Sequence, residues 1–157
     1  MIMNCKELIK MRFIIFGFVF TLFISSCAST NSLPILYQKY FHYKQETNKD
    51  NIIETSSKFF TASLLGSNYQ TNPDASSQLL FKNLMVVTDS HYEKTDGKEG
   101  CLAINGFDED GDPLVFSLKY TSVNHNWLID DIHVVFVENS KEFTKSAKCP
   151  NEYPQQH

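Results

Sequence analysis

From Phe13 to Ile24 the chain is one apolar run, interrupted only by Gly17 and Thr21. Beyond it the hydrophobic positions follow two different periods. Leu36, Tyr40 and Tyr43 recur at spacings of four and three, and Ile52 or Ile53, Phe60 and Leu64 form a second stripe. This spacing predicts two amphipathic helices. The first has Ser32 as its cap and Pro34 in its first turn, and the second runs from Asp50 to just before Gly66. Asn72-Pro73-Asp74 starts a shorter helix through Leu79, Leu80 and Phe81. After Leu84 the period drops to two, which predicts strands over 84–92, 101–107, 114–120 and 127–138, with turns at 95–100 and 124–126. In the last strand Trp127 and Ile129 share one parity, whereas Ile132, Val134 and Phe136 share the other. A bulge at Asp130-Asp131 would return all five to one face. Residues 139–157 are polar and read as a tail, pinned at Cys149 if that residue is bridged. Helices followed by an antiparallel meander give an α+β order, with the helices on the concave face of a curved sheet.

The apolar run changes the picture at the N-terminus. Lys6, Lys10 and Arg12 precede it against one acid, Glu7, which is the layout of a secretory signal. A run of 12 residues is shorter than the roughly 20 needed to span a bilayer. It ends in Ile24-Ser25-Ser26-Cys27, which resembles the lipobox of bacterial lipoproteins. In that family the Cys sulfur takes a diacylglyceryl group as a thioether, a dedicated peptidase cuts before it, and the new amino group is acylated. The resemblance implies a signal peptide at 1–26, lipidation at Cys27, and a tether at 27–33 that reaches roughly 20 Å when extended. Ala28, which follows Cys27, is compatible with sorting to the outer membrane rather than retention at the inner one. The alternative is an ordinary secreted protein in which Cys27 is incidental.

Charge then excludes partners. Removing 1–26 takes three of 14 basic and one of 18 acidic residues, leaving a net charge of −6 without arginine. Such a domain is a poor match for nucleic acid or phosphate-rich partners. Of four cysteines, Cys5 leaves with the signal and Cys27 takes lipid. Cys101 and Cys149 remain, and an even remainder in an oxidising compartment suggests a disulfide closing a loop of about 49 residues. Two separate thiols are the alternative.

The element order, ending in Trp127-Leu128-Ile129-Asp130-Asp131-Ile132-His133-Val134, resembles the NTF2-like (cone-shaped, SnoaL-like) superfamily over residues 34–138. A cystatin-like helix on a meander is a neighbouring possibility. The superfamily includes isomerases, dehydratases, dimerisation modules and lipoproteins without activity, so the fold does not choose among them.

Two polar clusters carry candidate chemistry. Asp108-Glu109-Asp110-Gly111-Asp112 has alternating carboxylates that suit Ca²⁺. An EF-hand loop needs Gly at its sixth and Glu at its twelfth position, and those places hold Pro113 and Lys119. The cluster therefore reads as a charged hairpin turn. Asp131 and His133, beside Asp130, are the candidate pocket residues: a carboxylate can fix an imidazole tautomer, and the imidazole can exchange a proton near neutral pH. His42, His91 and His125 read as helix-surface, strand and turn residues. Tyr37, Tyr40, Phe41 and Tyr43 read as core rather than as a docking face. G-x-S-x-G, G-x-G-x-x-G, Walker and H-E-x-x-H patterns are missing, so no catalytic residue, cofactor or metal site is assigned.

The expectation is a lipid-anchored envelope protein whose small, non-catalytic domain binds a small ligand or a protein partner. Its alternatives are an isomerase or dehydratase using Asp131 and His133, and an immunity or inhibitor protein whose acidic loop blocks a toxin.

Overall fold

In the computed structural model, residues 35–153 are described; the signal segment 1–26, Cys27 and its tether, and residues 154–157 lie outside them. Helix α1, Ile35–Glu46, turns Leu36, Tyr40 and Tyr43 into the core, each at most 1% exposed. Burying side chains of this size contributes roughly 1.5–3 kcal/mol apiece. Both ends of α1 are held from far along the chain. At its start the Glu93 carboxylate accepts the backbone N–H groups of Leu36 and Tyr37, each at 2.9 Å. At its end the Lys82 ammonium donates to the carbonyl of Lys44 at 2.6 Å and to that of Thr47. An anion at the N-terminus and a cation at the C-terminus complement the helix dipole and satisfy groups that α-helical bonding leaves open.

The predicted second helix is divided. It appears as α2, Ile52–Thr55, a 3₁₀ turn, Ser56–Lys58, and α3, Ala62–Leu65. The break lies at Phe60, which forms a short parallel bridge to the sheet at Ile129. Ile129 donates to the Phe59 carbonyl at 2.8 Å and Thr61 donates to the Ile129 carbonyl at 2.9 Å. Those two bonds replace helical ones, and Thr61 then caps α3 by accepting from the Leu64 N–H. The third predicted helix is α4, Ala75–Leu79, followed by a 3₁₀ turn, Phe81–Leu84.

Four antiparallel strands follow in meander order: β1, Val87–Asp96; β2, Glu99–Phe107; β3, Pro113–Val123; β4, Asn126–Phe136. The first strand starts three residues later than the alternation predicts and runs on to a two-residue turn at Gly97-Lys98, where Gly97 takes φ 58°. The β3–β4 turn, Asn124-His125, has both residues at positive φ, which suits a type I′ hairpin. Register between β3 and β4 shifts so that Lys119 faces Asp131 and Tyr120 faces Ile129, leaving Asp130 as the extra residue of a bulge. Ile129 is thereby buried, and Trp127, Ile132 and Val134 pack against the same core, whereas Phe136 stays 55% exposed.

The helices cover one face of the sheet, where Leu102, Ile104, Leu114, Phe116, Leu118 and Tyr120 join Leu36, Tyr40, Tyr43 and Phe60. Segment 139–153, expected as a polar tail, lies against the other face. Asn105 donates to the Thr144 carbonyl and Ser117 to the Lys148 carbonyl, at 2.9 and 2.8 Å. Phe143 meets Phe107 edge-on, and Cys149 is bonded to Cys101 with Cα atoms 5.1 Å apart. This strap buries Asn105 and Ser117, which would otherwise be polar groups on an open sheet face. Among the described residues no helix is long and apolar enough to cross a membrane.

Candidate functional site

Within the Asp130-Asp131-His133 cluster, Asp130 is set apart from the other two. Asp130 points to the helices and accepts the Thr61 hydroxyl at 2.7 Å, with Lys119 at 4.0 Å. It fastens α3 to the sheet. Asp131 is exposed and accepts the backbone N–H of its own neighbour Ile132. His133 lies on the strap side, with Nδ1 3.5 Å from the Pro150 carbonyl and its ring edge-on to Tyr153. Asp131 and His133 line an open groove with Pro150 and Asn151, not the space between helices and sheet. An acid–base pair working on an apolar substrate needs an enclosed pocket. This groove does not supply it.

The acidic cluster is a hairpin loop between β2 and β3. Asp108 turns its side chain inward, accepting the N–H groups of Asp110 at 3.0 Å and Asp112 at 2.8 Å, and Gly111 takes φ 85°. The lead carboxylate thus stabilises the turn. Among the described residues no three His, Cys, Asp or Glu side chains converge on a metal position.

A different constellation occupies the mouth between α1 and the β3–β4 hairpin. Lys39, His42 and Glu46 from α1, Lys58 and Phe59 from the 3₁₀ turn, and Tyr120, Asn126 and Trp127 from the hairpin line a cleft of about 260 Å³. Lys39 donates to the Asn126 side chain at 2.8 Å, and His42 Nδ1 lies 3.9 Å from Glu46. Tyr120 is 1% exposed and its hydroxyl, itself buried, has no hydrogen-bond partner among the described residues. Burial first, then the nearby Tyr40 and Tyr43, push its pKa well above the ordinary phenol value, so it is a neutral donor. Tyr40, whose hydroxyl is likewise unpartnered, is raised mainly by burial.

Sequence reasoning placed His42 on the helix surface and Trp127 in a strand, and assigned neither to a site. The signal was present in part: Lys39, His42, Tyr43 and Glu46 fall at helical spacings of three, one and three, which share one side of α1. Nothing in the local pattern joins that side to Lys58 or to Trp127. The aromatic segment itself is mainly core, with Tyr40 and Tyr43 buried and Tyr37 stacked on His91 at 3.7 Å, but Phe41 is 48% exposed. No family model matches the chain, and no curated protein or solved structure matches it either.

Proposed function

We propose that this chain is an envelope lipoprotein, anchored through acyl chains on Cys27, whose α+β domain binds a small ligand without transforming it. The observation that carries the anchor is the sequence Ile24-Ser25-Ser26-Cys27 at the end of the apolar run. Two or three acyl chains hold a protein at a bilayer, whereas one does so only marginally. The Cys101–Cys149 bridge supports the same compartment, because disulfides persist where the surroundings are oxidising. The arrangement of helices on one face of a four-stranded sheet is compatible with the NTF2-like cone, and the binding role rests on the cleft at the end of α1. Against the isomerase or dehydratase reading, Asp131 and His133 line an open groove rather than an enclosed pocket.

Metabolic labelling with palmitate tests the anchor. The wild type should take up label and Cys27→Ala should not. Equal labelling of both forms, or of neither, would overturn the reading.

A further inference from the structure

The cleft beside α1 combines features that single out a class of ligand. Its charged lining is two lysines against one carboxylate, with a histidine that adds charge when protonated. The chain as a whole carries an acidic excess, with net charge −4, so a basic cleft runs against the molecule's average. Lys58 is exposed and has no ion-pair or hydrogen-bond partner among the described residues. Lys39 spends one N–H on Asn126, and an ammonium has three to give. The walls are aromatic: Tyr43, Phe59 and the half-buried Trp127. Phe59 is further held edge-on to Tyr43 at 5.7 Å and to His42 at 5.8 Å, so this wall is set before any ligand arrives.

The volume, about 260 Å³, falls just below the roughly 300–1,000 Å³ of sites for drug-sized molecules. One ring with a short acidic arm suits it. Glu46 within the same cleft repels a dianion, and the described residues contain no arginine to fork onto a phosphate.

We propose that this cleft binds a small aromatic carboxylate, its ring against Trp127 and its carboxylate met by Lys39 and Lys58. The inference rests on the binding role proposed above and names the ligand class for it. Bulk charge would keep such an anion away from most of this surface, so the two lysines provide the discrimination.

Trp127 is the only tryptophan, so its indole N–H resonance and its fluorescence report on this cleft alone. The full-length protein, solubilised in detergent, is titrated with phenylacetate, with its uncharged counterpart 2-phenylethanol, and with phenyl phosphate. Phenylacetate should shift the Trp127 signals saturably and bind at least about tenfold more tightly than the other two, as expected for a charge-assisted contact. Lys58→Ala, an exposed change, should weaken phenylacetate by roughly tenfold. Equal binding of 2-phenylethanol or tighter binding of phenyl phosphate overturns the carboxylate assignment but leaves a small-ligand site in place. No response to any probe overturns both. A phenylacetate response that Lys58→Ala does not alter overturns the proposal too.

Discussion

Gly106 on β2 lies against Val87 of β1 and Met85 of the segment before it. A Cβ placed there would meet the Met85 sulfur at 2.5 Å and the Val87 carbonyl closer still. The carbonyl belongs to a paired strand and has no rotamer by which to give way. Gly106→Ala should therefore destabilise the fold by about 1–3 kcal/mol or more, as forced overpacking does, measurable as a lower denaturant midpoint. Lys82 is equally specific. It is 7% exposed, its ammonium lies 5.6 Å from the centre of the Tyr43 ring, and burial followed by the nearby Lys44 lowers its pKa. Despite that desolvation it is the donor for the Lys44 and Thr47 carbonyls. Lys82→Met should cost about 1–3 kcal/mol by leaving those carbonyls unpaired, and amide exchange in the last turn of α1 should quicken. Leu36, Tyr40 and Tyr43 were legible in the sequence because a helix writes its buried stripe into local spacing. Glu93 and Lys82 were not, since each meets α1 from about 40 to 60 residues away and no local period encodes such a pairing.

Among the elements, the strap at 139–153 departs most from its sequence reading. Its polar composition suggests solvent, yet its backbone carbonyls accept from the Asn105 amide and the Ser117 hydroxyl on the sheet, and the Cys149 bridge fixes where it lies. Composition reports side chains, and here the main chain makes the contacts. Near its end, Glu152 accepts the Cys149 N–H and the Lys94 ammonium, the latter at 3.0 Å. Those two interactions, the backbone bond first, lower its pKa below the ordinary 4.5. A carboxyl with a lowered folded-state pKa supports the fold above its ordinary pKa and loses that support as pH falls through the lowered value. The strap end should thus loosen as the solution is acidified below 4.5, seen as weaker protection of the Cys149 amide relative to its intrinsic exchange rate at each pH, while Glu152→Gln should remove that loss of protection. Reduction of Cys101–Cys149 should cost about 4 kcal/mol in the chain-entropy model for a loop of this length, read as a lower unfolding midpoint in a dithiol. The second helix illustrates a further limit of local reading. Its spacing is helical throughout, but the bridge between Phe60 and Ile129 competes for the same backbone groups, and the tertiary bonds prevail.

For the molecule as a whole, the α+β order was legible because the change of period after Leu84 separates helices from strands. The Asp130 bulge was legible for the same reason, through the change of parity within β4. The cleft was not, since it is assembled from α1, a 3₁₀ turn and a hairpin end that only the folded chain brings together. Among the described residues no helix is long and apolar enough to cross a membrane. The proposed anchor therefore depends on Cys27 alone. Intact-mass and peptide analysis of the native protein from the envelope fraction tests this most directly. The account predicts a polypeptide beginning at Cys27, with a diacylglyceryl thioether on its sulfur and an acyl group on its amine. A mature chain that begins upstream of Cys27, or begins there without fatty acid, would contradict it.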